Sequence, residues 1–211
     1  MPISKSHIVA IALEMLNQAG LEGVTLRRLA TQLNVKAASI YHHIPSKEHL
    51  LDAMAGQILA QGFADWDFTN DQRDWAEWLD LLAQQLRRSL LAYREGARVV
   101  AGAHPDAAAT LVLLWDLSVR VLVNAGFALS QTIDITLTLI NFTFGWVIEE
   151  QTSPPSAQNP HAPANDLSTL SQHSSLFAQA FSEWLNRDND SHFSAGVRMI
   201  INGVGLEKPV V

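Results

Sequence analysis

The sequence predicts an all-α protein: an N-terminal three-helix unit followed by a larger helical domain. Three observations predict it. Apolar residues recur at helical spacing, as in Ile8, Ile11, Ala12, Met15, Leu16 and Ala19. No segment alternates apolar and polar residues as a half-buried strand does. Cap and stop residues punctuate the helical stretches, with Thr25, Ser46 and Ser130 before them and Gly20 and Gly126 after. A length of 211 residues suits one small domain joined to a larger one, and 48% hydrophobic content supplies the core.

The first helix spans about 4–19 and stops at Gly20. A helical pair follows within residues 25–47. Leu26, Leu29, Ala30 and Leu33 share one face, and Thr25 stands where its hydroxyl accepts from an otherwise unbonded N–H. Asn34 ends this helix, because Asn tolerates the left-handed conformation of the position after a helix. The next short helix turns Ile40 and Ile44 inward and Ala37, Ala38, Ser39, Tyr41 and His42 outward. A fourth helix runs about 46–61 from Ser46, and residues 62–74 form a polar hinge bearing Phe63, Trp66 and Phe68. Further helices are expected at about 72–93 and 95–101, from Pro105 to about Asn124, from Ser130 to about Gln151, and at about 166–186 and 193–206. Residues 152–166 hold four prolines and no Val, Ile, Leu or aromatic residue, which predicts a mobile loop. The domains are placed at 1–50 and 51–211.

The pair at 25–47 carries the clearest chemistry. A recognition helix must enter a major groove about 12 Å wide. Small residues at its start bring the backbone close to base edges. Ala37 or Ala38 suits a thymine methyl, and Ser39 can donate or accept. Tyr41, His42 and Lys47 suit phosphate oxygens. With Arg27, Lys36 and His43 they complete the expected DNA-facing set. An ordinary αα-hairpin with a polar rim has the same spacing. Charge separates the two halves. Residues 1–50 hold five Lys/Arg and three Asp/Glu (5 − 3 = +2), and residues 51–211 hold nine and eighteen (9 − 18 = −9). The basic footprint is local, and an acidic body discourages indiscriminate DNA binding.

Several classes are disfavoured. There is no cysteine, so neither a disulfide framework nor thiolate chemistry is available. The N-terminus lacks a signal-peptide pattern, and no apolar run of 18 residues occurs, which predicts a cytoplasmic protein without a membrane partner. There is no phosphate-binding glycine loop, no His-Glu-x-x-His pattern and no nucleophile motif, so an enzyme is not expected.

The run from Ile8 to Leu51 resembles the tetracycline-repressor (TetR) family. The matching elements are Ala12-Leu13-Glu14-Met15-Leu16-Asn17, Gly20-Leu21-Glu22-Gly23-Val24-Thr25, Leu29-Ala30, Leu33-Asn34-Val35, Ser39-Ile40-Tyr41-His42-His43 and Lys47-Glu48-His49-Leu50-Leu51-Asp52-Ala53. Leu90-Leu91-Ala92-Tyr93-Arg94-Glu95-Gly96-Ala97, Gly102-Ala103-His104-Pro105 and Phe142-Thr143-Phe144-Gly145-Trp146-Val147-Ile148-Glu149-Glu150-Gln151 resemble the regulatory domain of the tetracycline-repressor branch. The resemblance implies a homodimeric repressor that binds a palindromic double-stranded operator and is released by a small-molecule effector. It implies a relay beginning at Arg94, Glu95 and Gly96, and a dimer bundle formed by the helices at 130–151 and 193–206.

The resemblance also places an effector site on Phe63, Trp66, Trp78, Leu82, Leu86 and Val100. His104, Pro105, Trp115, Asn141 and Phe144 complete the set. In the tetracycline repressors the drug arrives with Mg²⁺, but the family's metal-binding histidine falls at Val100. Its pocket histidine falls at Phe63, and its pocket Asn and Phe fall at Leu82 and Leu86. Glu149 matches an acid that reaches the metal through water, and one carboxylate cannot supply the octahedral oxygen set Mg²⁺ needs. No metal and no cofactor is therefore expected, and the effector is expected to be hydrophobic or aromatic. The alternative is a helical small-molecule-binding protein or enzyme that keeps a vestigial helix-turn-helix.

Overall fold

A computed structural model describes residues 3–66, 73–104, 109–152 and 174–206. Among these the chain forms ten helices and no strand. They are α1 (Lys5–Gly23), α2 (Leu26–Gln32), α3 (Ala37–His43), α4 (Lys47–Gly62), α5 (Trp75–Leu91), α6 (Gly96–Ala101), α7 (Ala109–Asn124), α8 (Leu129–Thr152), α9 (Ser175–Leu185) and α10 (Asn189–Leu206). Thr152, the first residue of the loop expected at 152–166, is helical, and the rest of that stretch lies outside the described residues, as do Phe68, Pro105 and the first residues of the helix expected from 166.

Local chemistry accounts for most boundaries. Ser4, Thr25, Ser46 and Asp74 each accept from first-turn N–H groups of the helix that follows, satisfying donors a helix start leaves unbonded. Gly20 adopts φ 70° and interrupts α1, which resumes for one short turn to Gly23. Ser130 is not the cap of α8. The helix starts one residue earlier, Ala128 stands at the cap position, and the Gln131 side chain reaches back to accept from the Ala128 N–H at 3.1 Å. The last helix also begins earlier than 193, because the Asp188 carboxylate accepts from the Ser191 N–H at 2.6 Å.

Helix α4 sits centrally, packed against α1, α5, α6 and α7. Its inner residues Leu50, Met54, Ala55, Ile58 and Leu59 are buried. Leu50 faces the N-terminal core with Ile8, Leu16, Leu29, Ile40 and Ile44, all at most 1% exposed. Each such side chain contributes about 1.5–3 kcal/mol relative to exposure. The far side of α4 continues into the larger core, so one apolar cluster joins both domains. At Gly62 an added Cβ would collide with Ser89, so only glycine allows α4 to end so close to α5.

Helices α7 and α8 are less enclosed than their composition predicts. Leu111, Leu114, Ser118 and Leu122 form the inner stripe of α7, and Thr132, Ile135, Thr136, Leu139, Ile140, Thr143 and Val147 that of α8. Val112, Leu113, Ile133 and Leu137 are exposed on the single chain, as is Met199 on α10. Arg87 of α5 joins the larger domain at its centre. It is 6% exposed, donates twice to Glu150 of α8 at 3.0 and 2.8 Å, and pairs with Asp190 at 2.7 Å. Its guanidinium lies 5.0 Å from the Phe193 ring centroid.

Candidate DNA-reading surface and effector site

The turn between α2 and α3 is built as its sequence dictates. Asn34 takes φ 52°, and the Val35 N–H donates to Ala30 O at 2.9 Å. Leu26, Leu29 and Ala30 are buried under α2, and Ile40 and Ile44 anchor α3 at 0% and 1% exposure. The opposite face of α3 is open. Ala37, Ala38, Tyr41 and His42 are exposed, and Ser39 and His43 are half-buried. Tyr41 is 52% exposed, so its ring is not part of the core. Lys36, at the position before α3, makes no side-chain cap bond, and Arg27 and Lys47 extend from the flanking helices into solvent. Arg28 is exposed beside Arg27 and was not anticipated.

This unit, and α4 that leads out of it, are each fastened beside α6. The break at Gly20 leaves the Leu21 N–H free of its helix, and Glu95 Oε1 accepts from it at 3.2 Å. One residue earlier in that corner, the Arg94 N–H donates to Asn17 Oδ1 at 2.9 Å. Glu95 itself is left-handed at φ 55°, a conformation unusual for Glu. Gly96 follows because a Cβ there would strike Leu90 O. At the other end of α6, Asp52 of α4 accepts from the His104 N–H at 2.9 Å and faces its ring Nδ1 at 3.2 Å. Gln151 at the end of α8 holds the α5–α6 corner. Its amide donates to Leu90 O and Tyr93 O and accepts from the Ala97 N–H. Asp52 and Gln151 lie in segments that resemble the family, but nothing in the sequence assigned them these bonds.

The residues expected to meet an effector divide into groups. Phe63, Trp78, Leu82, Leu86 and Val100 are at most 4% exposed and belong to one apolar cluster. Trp66 stacks on Phe63 with centroids 5.4 Å apart and leans on Trp78 at 6.1 Å. Trp115 and Phe144 are half-buried against the same cluster. Asn141 and His104 lie on the surface, so in the single chain they stand apart from that enclosed set. Pro105 lies outside the described residues. Val100, Phe63, Leu82 and Leu86 offer no lone pair to a cation, Glu149 is exposed, and no cluster of three His, Cys, Asp or Glu occurs among the described residues. These residues do not fit a drug–Mg²⁺ chelate.

Residues 8–54 match the model of bacterial regulatory proteins of the tetR family, and residues 69–207 match that of the tetracyclin repressor-like C-terminal domain. The chain belongs to the tetracycline-repressor family. A class C tetracycline repressor protein of Escherichia coli is 34% identical over 98% of this chain and 91% of its own. Among solved structures, a possible TetR family transcriptional regulator from Streptomyces coelicolor A3(2) is 32% identical, with a TM-score of 0.78 over 96% of this chain and 99% of that one. A variant TetR from Acinetobacter baumannii AYE, in complex with minocycline, is 26% identical, with a TM-score of 0.74 over 99% of both chains. Among the described residues no helix is long and apolar enough to cross a membrane.

Proposed function

We propose that this protein is a ligand-responsive transcriptional repressor that binds a palindromic operator as a homodimer and is released by a small apolar or aromatic effector. The observation that carries the reading is the open face of α3, held on a buried Ile40–Ile44 anchor within a family of bacterial regulators. Ala37, Ala38 and Ser39 approach base edges, while Arg27, Lys36, Tyr41, His42, His43 and Lys47 face sugar and phosphate. Such contacts position the head, and the few base contacts specify sequence. Residues 1–50 form the reading domain, and residues 51–211 bind the effector and dimerise. Exposed Ile133, Leu137 and Met199 supply apolar area for a second copy. A protein that acts on operator DNA works in the cytoplasm, and regulation rather than catalysis is its activity.

The effector acts through the fastenings around α6. A ligand among Phe63, Trp78, Leu82, Leu86 and Val100 displaces α6. Asp52 and Glu95 pass that shift to α4 and α1, so the two heads lose groove register. An effector inverts a 99:1 equilibrium fully only by binding the released state about 5.5 kcal/mol more tightly.

Selection of bound duplexes from a random DNA pool tests the reading. An enriched inverted repeat is expected, with affinity falling steeply as salt rises. Recovery of no common sequence would leave a helical ligand-binding protein with an idle helix-turn-helix.

A further inference from the structure

Buried hydroxyls in this fold follow one habit, and Thr136 breaks it. Ser89 donates to Gln85 O, Ser118 to Leu114 O, Thr132 to Leu129 O and Thr143 to Leu139 O, at 2.7–2.9 Å. Each thereby satisfies itself on its own helix. Thr136 is 1% exposed, and its Oγ1 makes no hydrogen bond among the described residues. The indole Nε1 of Trp115 is the second buried polar side-chain atom without a partner among the described residues. The two stand on packed neighbours, α7 and α8, joined by the short turn at 125–128. In that antiparallel hairpin they fall within about one helical turn along the axis. Both belong to the inward side: Thr136 is on the inner stripe of α8, and Trp115 packs against the central apolar cluster.

A buried donor left unpaired costs about 1–3 kcal/mol, so two on facing helices call for a common partner. An indole N–H only donates, whereas a hydroxyl donates or accepts. One oxygen with two lone pairs satisfies both. The partner is uncharged, because the buried ionisable side chains among the described residues are already engaged. Arg87 is held by Glu150 and Asp190, and the His192 ring meets Trp184 O at 2.9 Å.

We infer that the effector is a neutral, mostly apolar molecule with one carbonyl-type oxygen, which accepts from both Trp115 Nε1–H and the Thr136 hydroxyl. This rests on the proposed effector site and names its ligand class. The oxygen gives orientation, and the surrounding apolar side chains supply the contact area.

Tetralin and 1-tetralone test it, since they differ by one carbonyl oxygen on the same bicyclic frame. Their binding to the full-length protein is measured by calorimetry, for the wild type and for Trp115→Phe and Thr136→Val. Each variant loses one donor; Thr136→Val keeps the side-chain volume, and Trp115→Phe keeps an aromatic ring of smaller size. The wild type is expected to bind 1-tetralone about tenfold more tightly than tetralin. Each variant is expected to lose most of that preference, read as the ratio of its two affinities, and 1-tetralone is expected to move one indole N–H resonance that is missing from Trp115→Phe. Equal affinity for both compounds, binding of neither, or a preference unchanged in both variants overturns the inference. A lowered melting temperature of ligand-free Thr136→Val overturns it too, since that places the hydroxyl in a structural bond. Operator selection with the same proteins separates this failure from that of the repressor reading: an inverted repeat recovered by the wild type and both variants leaves the repressor standing.

Discussion

Tyr41 and Lys47 separate two kinds of DNA contact on one surface. Replacing Tyr41 by Ala removes a neutral hydrogen bond and is expected to weaken operator binding at every salt concentration, with little change in thermal stability, because the ring is 52% exposed and outside the core. Lys47→Ala removes a charge, so the slope of log affinity against log salt is expected to flatten by about one unit. Titrations by fluorescence anisotropy across a salt series measure both. Arg87 presents the opposite environment. Burial works against its charge, but hydrogen bonds and attraction from Glu150 and Asp190 prevail and raise its pKa above the ordinary value. Arg87→Met strands the Glu150 carboxylate and is expected to cost about 3 kcal/mol in denaturant unfolding. Adding Glu150→Met should recover most of that loss, and a double variant no more stable than the single would contradict the account.

Among elements, the start of α10 is expected to depend on pH. The Asp188 carboxyl is held below its ordinary value, first by the backbone N–H of Ser191, then by the Ser191 side chain, with smaller help from His192 and Arg187. A depressed folded pKa contributes stability above the unfolded value, near 3.9 for Asp, and loses it as pH falls through the lower folded value. Protection of the Ser191 amide from hydrogen exchange is therefore expected to be constant near neutrality and to decline as pH falls below about 4. In Asp188→Asn that pH dependence should vanish. The fastening of α1 is testable in the same way. Glu95→Gly suits the left-handed backbone but removes the acceptor for Leu21. It is expected to leave overall stability nearly unchanged, speed exchange at the Leu21 amide and blunt effector-driven release from DNA.

These elements also mark what the sequence could disclose. The Thr25 cap, the Asn34 turn and the inward Ile40 and Ile44 depend on neighbours within a few residues, so they were legible. Ser130 was misread because a hydroxyl before an apolar run signals a cap, whereas here Gln131 reaches back to Ala128 and the helix starts sooner. Asp52–His104, Glu95–Leu21 and the Gln151 bonds join residues 52, 74 and 54–61 positions apart. No periodicity announces such a pair. The effector set was only partly legible for a related reason. The resemblance named Leu82, Leu86 and Val100 on α5 and α6, whereas the surface position of Asn141 depends on how α8 meets its neighbours.

For the whole molecule, the central claim is that two reading heads act together on one piece of DNA. The proposed dimer covers the exposed apolar residues of α8 and α10, and an obligate interface of this kind buries more than about 2,000 Å². Two-fold symmetry of the protein then dictates two-fold symmetry in the DNA it reads. Hydroxyl-radical footprinting on the selected operator tests this most directly. The account predicts two protected patches related by a dyad, on one face of the duplex, centred about 34–36 Å apart or a multiple of that distance. Lys47→Ala should weaken both patches equally. A single patch without a dyad, or uniform protection along the duplex, would contradict it.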